Sequence, residues 1–369
     1  MIKGTEVKIL MLCSVLWMGC QQKASKHTPP QARKVSSSLL KKAKAPDDPK
    51  YLSAYNFFKG NLADLIPNSN VYPYAINTPL FSDYAEKERF IYLPQGKTMT
   101  FNPDGPFDFE TGTVVIKNFL YPHDAAHPNK GRQVIETRLL IKEEGRWKPL
   151  NYIWNDQQTE ARLNYVGKSI DVKWKTKQGK TQELAYVVPN VNQCKNCHSI
   201  DNDISPIGLT AAQLNQRYRS LQEEMNQLDY FKKQGRLVNF TQAKDYDAMP
   251  VWNMPLTGSI EERAKAYLYA NCAHCHSAQG SAKNSGLYLD YHQKDARARG
   301  VFKPPIAAGK GSGDFQYGIV PGKPEASIFI YRMASNDPAI RMPELGRSVV
   351  HEEGLALLRQ YINELATTP

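Results

Sequence analysis

Four of the six cysteines fall in two pentads of one pattern, Cys194-Lys-Asn-Cys197-His198 and Cys272-Ala-His-Cys275-His276. C-x-x-C-H is the attachment signature of c-type haem. Two thiols three positions apart on one turn can add to the two vinyl groups of one porphyrin, and the histidine that follows presents its imidazole to the iron. A zinc site built from paired C-x-x-C units is the main alternative, but it does not require histidine directly after both pairs. A thioredoxin-like redox pair needs only one C-x-x-C in a βαβ setting. Disulfides within three-residue loops are poor staples. The expected cofactors are two covalent c-type haems, and the core must then hold without disulfides.

The first twenty residues, MIKGTEVKILMLCSVLWMGC, place Lys3 and Lys8 before an apolar run from Ile9 to Gly19. A helix needs about 20 apolar residues to cross a bilayer, so this run suits a secretory signal better than a span. Residues 1–19 read as a signal peptide. Gly19-Cys20 resembles the lipid-modified cysteine of bacterial lipoproteins, with Trp17 where leucine is usual, which leaves ordinary signal-peptidase cleavage as the alternative. Residues 20–50, with Pro29, Pro30 and Ser36 to Ser38, read as a flexible tether. The balance of 47 basic to 36 acidic residues gives a formal charge of +11. No basic stripe interleaved with aromatics accompanies it, so nucleic acid is not expected as a partner.

From 51 to 190 the pattern is mostly of period two. Ile170, Val172 and Trp174 share one face, and Thr113–Leu120, Val134–Lys142, Trp147–Trp154 and Glu183–Val188 are further strand candidates. Glu144-Gly145 and Gln178-Gly179 stand between them as turns. His123 and His127 flank Asp124 in what reads as a polar surface loop. Residues 191–258 form a first haem segment with no amphipathic helix before its pentad. Thr210 can cap a helix through about Met225, with Leu214, Tyr218 and Leu221 on one face. In 259–369, Ser259-Ile-Glu-Glu262 is a capping box that starts a helix running into Cys272. Leu355, Leu358, Ile362 and Leu365 mark a closing helix. The expectation is an α+β multidomain chain: an N-terminal antiparallel β domain of sandwich type (51–190), a haem-binding segment (191–258), and a C-terminal all-α class I cytochrome c-like domain (259–369).

Electron-transfer haems usually pair histidine with methionine. His198 and His276 are the proximal candidates. Met342, followed by Pro343 in the loop before the closing helix, is the distal candidate for the second haem, while Met333 ends an apolar helical stretch and reads as core. Met249 is the candidate for the first haem, with Met254 close by, and an open sixth position is the alternative.

Longer runs carry a resemblance. They include Asn77-Thr-Pro-Leu-Phe-Ser-Asp-Tyr84, Ile135-Glu-Thr-Arg138, Trp154-Asn-Asp-Gln-Gln-Thr-Glu160, Asn271-Cys-Ala-His-Cys-His276 and Arg341-Met-Pro-Glu-Leu-Gly346. From about Ala54 onward the chain resembles a largely uncharacterised family of dihaem c-type cytochromes of Gram-negative bacteria. That family has a β-rich N-terminal region and two C-x-x-C-H segments. The resemblance implies haem at Cys194/Cys197 and Cys272/Cys275 with His198 and His276 as ligands. The function expected is electron transfer on the periplasmic side of the envelope, with a periplasmic or membrane redox partner and a lipid anchor at Cys20. A dihaem peroxidase or MauG-like oxidase with one open haem is the rival class, and a β domain serving as a docking module is a third.

Overall fold

The computed structural model describes residues 48–219, 224–306 and 309–366. The signal-peptide and lipid-site readings, with nearly all of the tether, fall outside them. From Pro49 onward the chain forms one compact unit.

Ten strands come first: β1 Val71–Tyr74, β2 Glu86–Tyr92, β3 Met99–Thr100, β4 Asp108–Phe109, β5 Val114–Pro122, β6 Arg132–Glu143, β7 Arg146–Trp154, β8 Ala161–Asn164, β9 Lys168–Lys175 and β10 Thr181–Val188. Then follow α1 Val191–His198, β11 Ser199–Ile200, β12 Asp203–Ile204, α2 Ala211–Leu214, β13 Arg217–Arg219, β14 Glu224–Asn226, α3 Gln227–Lys233 and β15 Leu237–Val238. Three helices complete the chain: α4 Ile260–Leu268, α5 Ile328–Met333 and α6 Glu352–Glu364.

One six-stranded antiparallel sheet dominates, in the order β1-β2-β5-β6-β7-β8. Its strands alternate, as period two requires. One face carries Phe90, Ile116, Leu139, Leu150 and Tyr152, covered by Leu52, Phe57, Phe58 and Leu65 from the segment before β1. The other face is divided. At one end Ile91, Val115, Leu140 and Trp147 pack under Leu209, Leu214, Leu228 and Phe231. At the other, Phe119, Tyr121 and Ile135 pack under Val172, Trp174, Tyr186 and Val188 of the β9–β10 hairpin. Between these two apolar ends the sheet turns charged side chains inward. β15 pairs in parallel with β3, Leu237 opposite Met99, so the segment after the first pentad is bonded to the strands near the N-terminus.

The expected fold class is corrected on three counts. There is one large sheet with a hairpin on it, not a sandwich of two comparable sheets. Residues 259–369 do not make an all-α cytochrome c-like domain. Helices α4, α5 and α6 are present, but the described residues between Cys275 and Ser327 run in turns, short 3₁₀ segments and isolated bridges such as Val301–Ile319. Gly280, Gly286, Gly300, Pro304, Pro305, Gly318 and Pro321 account for that, since glycine and proline end regular elements. Nor does this region stand apart: Phe81 N donates to Asn271 Oδ1 (2.7 Å), and Asp83 Oδ1 accepts from Ser348 N (2.6 Å) and Val349 N (3.1 Å).

Third, the helix expected from Thr210 stops at Leu214, and β13 and β14 form a hairpin instead; Leu221 lies outside the described residues. Buried amides decide this. Gln213 exchanges two hydrogen bonds with the Thr78 backbone (2.9 and 3.0 Å), and Asn215 Nδ2 donates to Ala243 O and Tyr246 O (3.0 and 2.7 Å). Satisfying these polar groups outranks continuing a helix.

Helices α4 and α6 cross where Gly354 meets Tyr267. A β-carbon on Gly354 would stand 2.4 Å from the Tyr267 ring and hydroxyl. Gly354→Ala should gain about 1 kcal/mol of helix propensity and still lose stability, because overpacking costs about 1–3 kcal/mol and sometimes more. A urea midpoint at or above wild type would show that the two helices can separate freely there.

Candidate functional site

Each pentad lies at a helical turn. Asn190 and Gln193 form a reciprocal cap that starts α1, with both bonds 2.9 Å, and the whole first pentad lies inside this helix. Cys194 and Cys197 are thus one turn apart and half-buried. Asn151 on β7 reaches Cys194, Nδ2 to Sγ 3.9 Å. The second pentad follows α4, which is capped by Ser259 and Glu262 as expected and widens into a π-turn over Tyr269–Ala273, so that Cys272 lies in the π-turn and His274 to His276 in the turn after it.

The two pentad histidines are held alike. His198 Nδ1 is 2.8 Å from the carbonyl of Ser205, which can only accept, so Nδ1 carries the proton and Nε2 keeps its lone pair. His276 Nδ1 is 3.3 Å from Ser285 Oγ. That hydroxyl donates its own proton to Ala282 O (2.7 Å), so it accepts from His276, whose Nε2 is likewise left with a lone pair. Such a bond on the far nitrogen is what fixes a ligating imidazole. Burial pushes His198 down to about 4, helped by the Lys117 and Arg138 cations, and burial also lowers His276. Burial thus favours the neutral form of both rings.

The pentads meet. The ligand atoms of Cys197, His274 and Cys275 all lie within 4.8 Å of one another, and Cys275 Sγ is 3.8 Å from Asn196 O. Hydrogen bonding from Cys197 lowers the Cys275 thiol, with His274 adding to the effect. His274 Nδ1 is buried without a hydrogen-bond partner.

A cavity of about 530 Å³ opens beside them. Cys194, Cys197 and His198 line it from the first pentad, Ala273 and His274 from the second. Cys272, Cys275 and His276 are not among its lining residues. Met342 lines it, and so does Met333 at the end of α5, which is 9% exposed. Met249, 3% exposed, does not line it; its N–H donates to Ala212 O (2.9 Å). Among the described residues, the polar loop around Asp124 closes on itself, with His127 Nδ1 and Lys130 Nζ both on Asp124 Oδ2 (3.0 and 2.9 Å).

Three features escaped the sequence reading. Arg347, 5% exposed, ties the loop around Met342 by donating to the carbonyls of Met342, Met333, Arg332, Ser335 and Val349. His351 stacks on Phe81 (4.1 Å between ring centres) and shares a hydrogen bond between its Nδ1 and Tyr267 Oη (2.9 Å), and burial holds it at about 4. The third is the inward-facing charge on the sheet: Arg89, Lys117 and Arg138 all line the cavity. Comparison with known proteins finds no family model, no curated protein and no solved structure that matches this chain.

Proposed function

We propose that this chain is a dihaem c-type cytochrome that carries electrons between partners on the periplasmic side of the cell envelope. The observation that supports it is the matched preparation of the two pentads. Each places two thiols one turn apart and leaves an imidazole Nε2 lone pair available by bonding Nδ1 to an oxygen. The residues fit the group: a large apolar and polar cavity adjoins the first pentad, and a methionine thioether lines it.

When bound, haem supplies one-electron chemistry at iron. The protein's share is to hold and tune. Cys194, Cys197, Cys272 and Cys275 would anchor the porphyrins, His198 and His276 would ligate their irons, and Met342 would be a further ligand for the second haem. Ser205 and Ser285 orient the imidazoles. The touching of Cys197 and Cys275 puts the two attachment points side by side, as transfer between centres requires. Export, the Cys20 anchor and a redox partner protein belong to the same proposal through residues 1–20. A second reading, a dihaem peroxidase or MauG-like oxidase with one open iron, draws on Met249 being packed against Ala212 away from the cavity.

Intact mass after acid–acetone extraction tests the proposal. The processed chain should carry the mass of two haems. A chain without haem, or with zinc held at Cys197, His274 and Cys275, would overturn it. Low-spin ferric spectra at both irons favour electron transfer, and a high-spin component that responds to peroxide favours the enzyme.

A further inference from the structure

Across the middle of the large sheet, β-pairing sets four residues in a line. Arg89 is opposite Lys117, Lys117 opposite Arg138, and Arg138 opposite Asn151. Three cations therefore stand side by side on one face, about 4.8 Å apart at the backbone. Like charges directly opposite one another are destabilising, and here they are half-buried and line the cavity. Only Arg138 has an acid: Glu136, fully buried, accepts from its Nε (3.0 Å) and Nη2 (2.5 Å). Arg89 makes one long bond, Nη1 to Lys87 O at 3.4 Å, and its Nη2 is buried with no partner. Lys117 Nζ rests over the Phe119 ring at 4.9 Å, and among the described residues it makes no hydrogen bond or ion pair. The two acids on the cavity lining, Asp104 and Asp290, are solvent-exposed. Arg89 and Lys117 thus face the cavity with no carboxylate bonded to either among the described residues, while Arg347, also on the lining, is held by backbone carbonyls and Asn336.

We propose that Arg89 and Lys117 bind a pair of carboxylates, and that these are the two propionates of the porphyrin attached at Cys194 and Cys197. This rests on the haem reading above and deepens it. Two basic side chains without a carboxylate partner match two propionates. The position matches as well. Asn151, the last member of the row, touches Cys194. Lys117 and Arg89 stand two and three strands beyond it, about 10 and 14 Å away. A porphyrin carries its carboxylates on the edge away from its vinyl groups, and the free cations lie on the side of the cavity away from the thiol. The large sheet is then one wall of the haem site, and the inward-facing charges have a purpose. Burial beside Arg89, Lys87 and Arg138 drives the Lys117 ammonium well below its ordinary range, a loss that a bound carboxylate would reverse.

The test uses the full chain with Lys117→Met and, separately, Arg89→Met, each in the wild-type background and in a Cys194→Ser/Cys197→Ser background that intact mass shows to carry only the second haem. With both haems present, each substitution should lower Tm and shift one of the two midpoint potentials downward, since a cation near the iron favours the reduced state. Without the first haem, the same substitution removes a basic group that has no partner there and should leave Tm unchanged or raise it. A change of the same sign in both backgrounds, or two unmoved potentials, overturns the assignment. Succinate is the control for a free dicarboxylate. If it raises the Tm of the fully haem-loaded wild type but not of Lys117→Met, the row is open in the loaded protein and the propionate assignment fails. Absence of any covalent haem from the wild type would be a separate failure, that of the cytochrome reading itself.

Discussion

Replacing Glu136 by alanine should cost about 3–5 kcal/mol of folding stability, the range for breaking a buried ion pair by removing one partner. Glu136 is fully buried on β6 and accepts from Arg138 and from Tyr186 Oη (2.5 Å). Burial alone would pull the Arg138 guanidinium down, yet Glu136 and Tyr186 carry it above its ordinary value. Without the carboxylate, Arg138 would be left charged beside Lys117, with Arg89 one strand further. The Tyr186 hydroxyl would lose its acceptor at the same time. Glu136→Ala/Arg138→Met should recover much of the loss, because removing both partners leaves no uncompensated charge. Urea unfolding of the two variants checks this. A single variant within 1 kcal/mol of wild type, or a double variant no better than the single, would mean that the pair is not what neutralises the row.

The two methionines on the cavity should separate ligation from packing. Met342→Ala is expected to lower one of the two midpoint potentials and to remove one thioether's share of the weak red absorption of the ferric protein, with a small change in Tm. Thioether ligation favours reduced iron, whereas the Met342 backbone is held by Arg347 and Arg332 whatever its side chain. Met333→Ala is expected to do the opposite. Its side chain packs with Ala264, Leu268, Leu355 and Leu358, so its loss should cost about 2–5 kcal/mol with spectrum and potentials intact. A folded Met342→Ala protein with unchanged potentials would exclude Met342, and a spectral change in Met333→Ala would make Met333 the ligand.

Strands were the most legible elements. Alternation and glycine turns placed β5, β6, β7, β9 and β10 within a few residues, and Gly145 and Gly179 do adopt positive φ at the turns. The caps of α4 and the apolar stripe of α6 were also local signals and appear as expected. What failed depended on distant residues. Thr210 to Met225 carries a helical stripe, but Gln213 and Asn215 bond backbone groups far along the chain. The spacing of α4 and α6 suggested a helical domain, while the segment between them is too rich in glycine and proline to supply one. For the site, the pentads could be read because their chemistry is written in five consecutive residues. The row Arg89, Lys117, Arg138 could not. Polar residues at alternate strand positions ordinarily face water, and only the sheet register shows that these three are neighbours.

The segment Asn77–Asp83 has a further consequence, for the order of events in assembly. Thr78 Oγ1 donates to Pro250 O, Phe81 N to Asn271 Oδ1, and Asp83 accepts from Ser348, across 172, 190 and 265 residues of chain. Contacts of such separation form slowly, because loop closure precedes any gain from them. On loop-closure grounds, the side of the cavity built by Met342, Gly346 and His351 is expected to dock late. On the haem reading proposed above, a porphyrin would reach the thiols of the first pentad before that side docks, and the last part of the polypeptide would then close the cavity behind it.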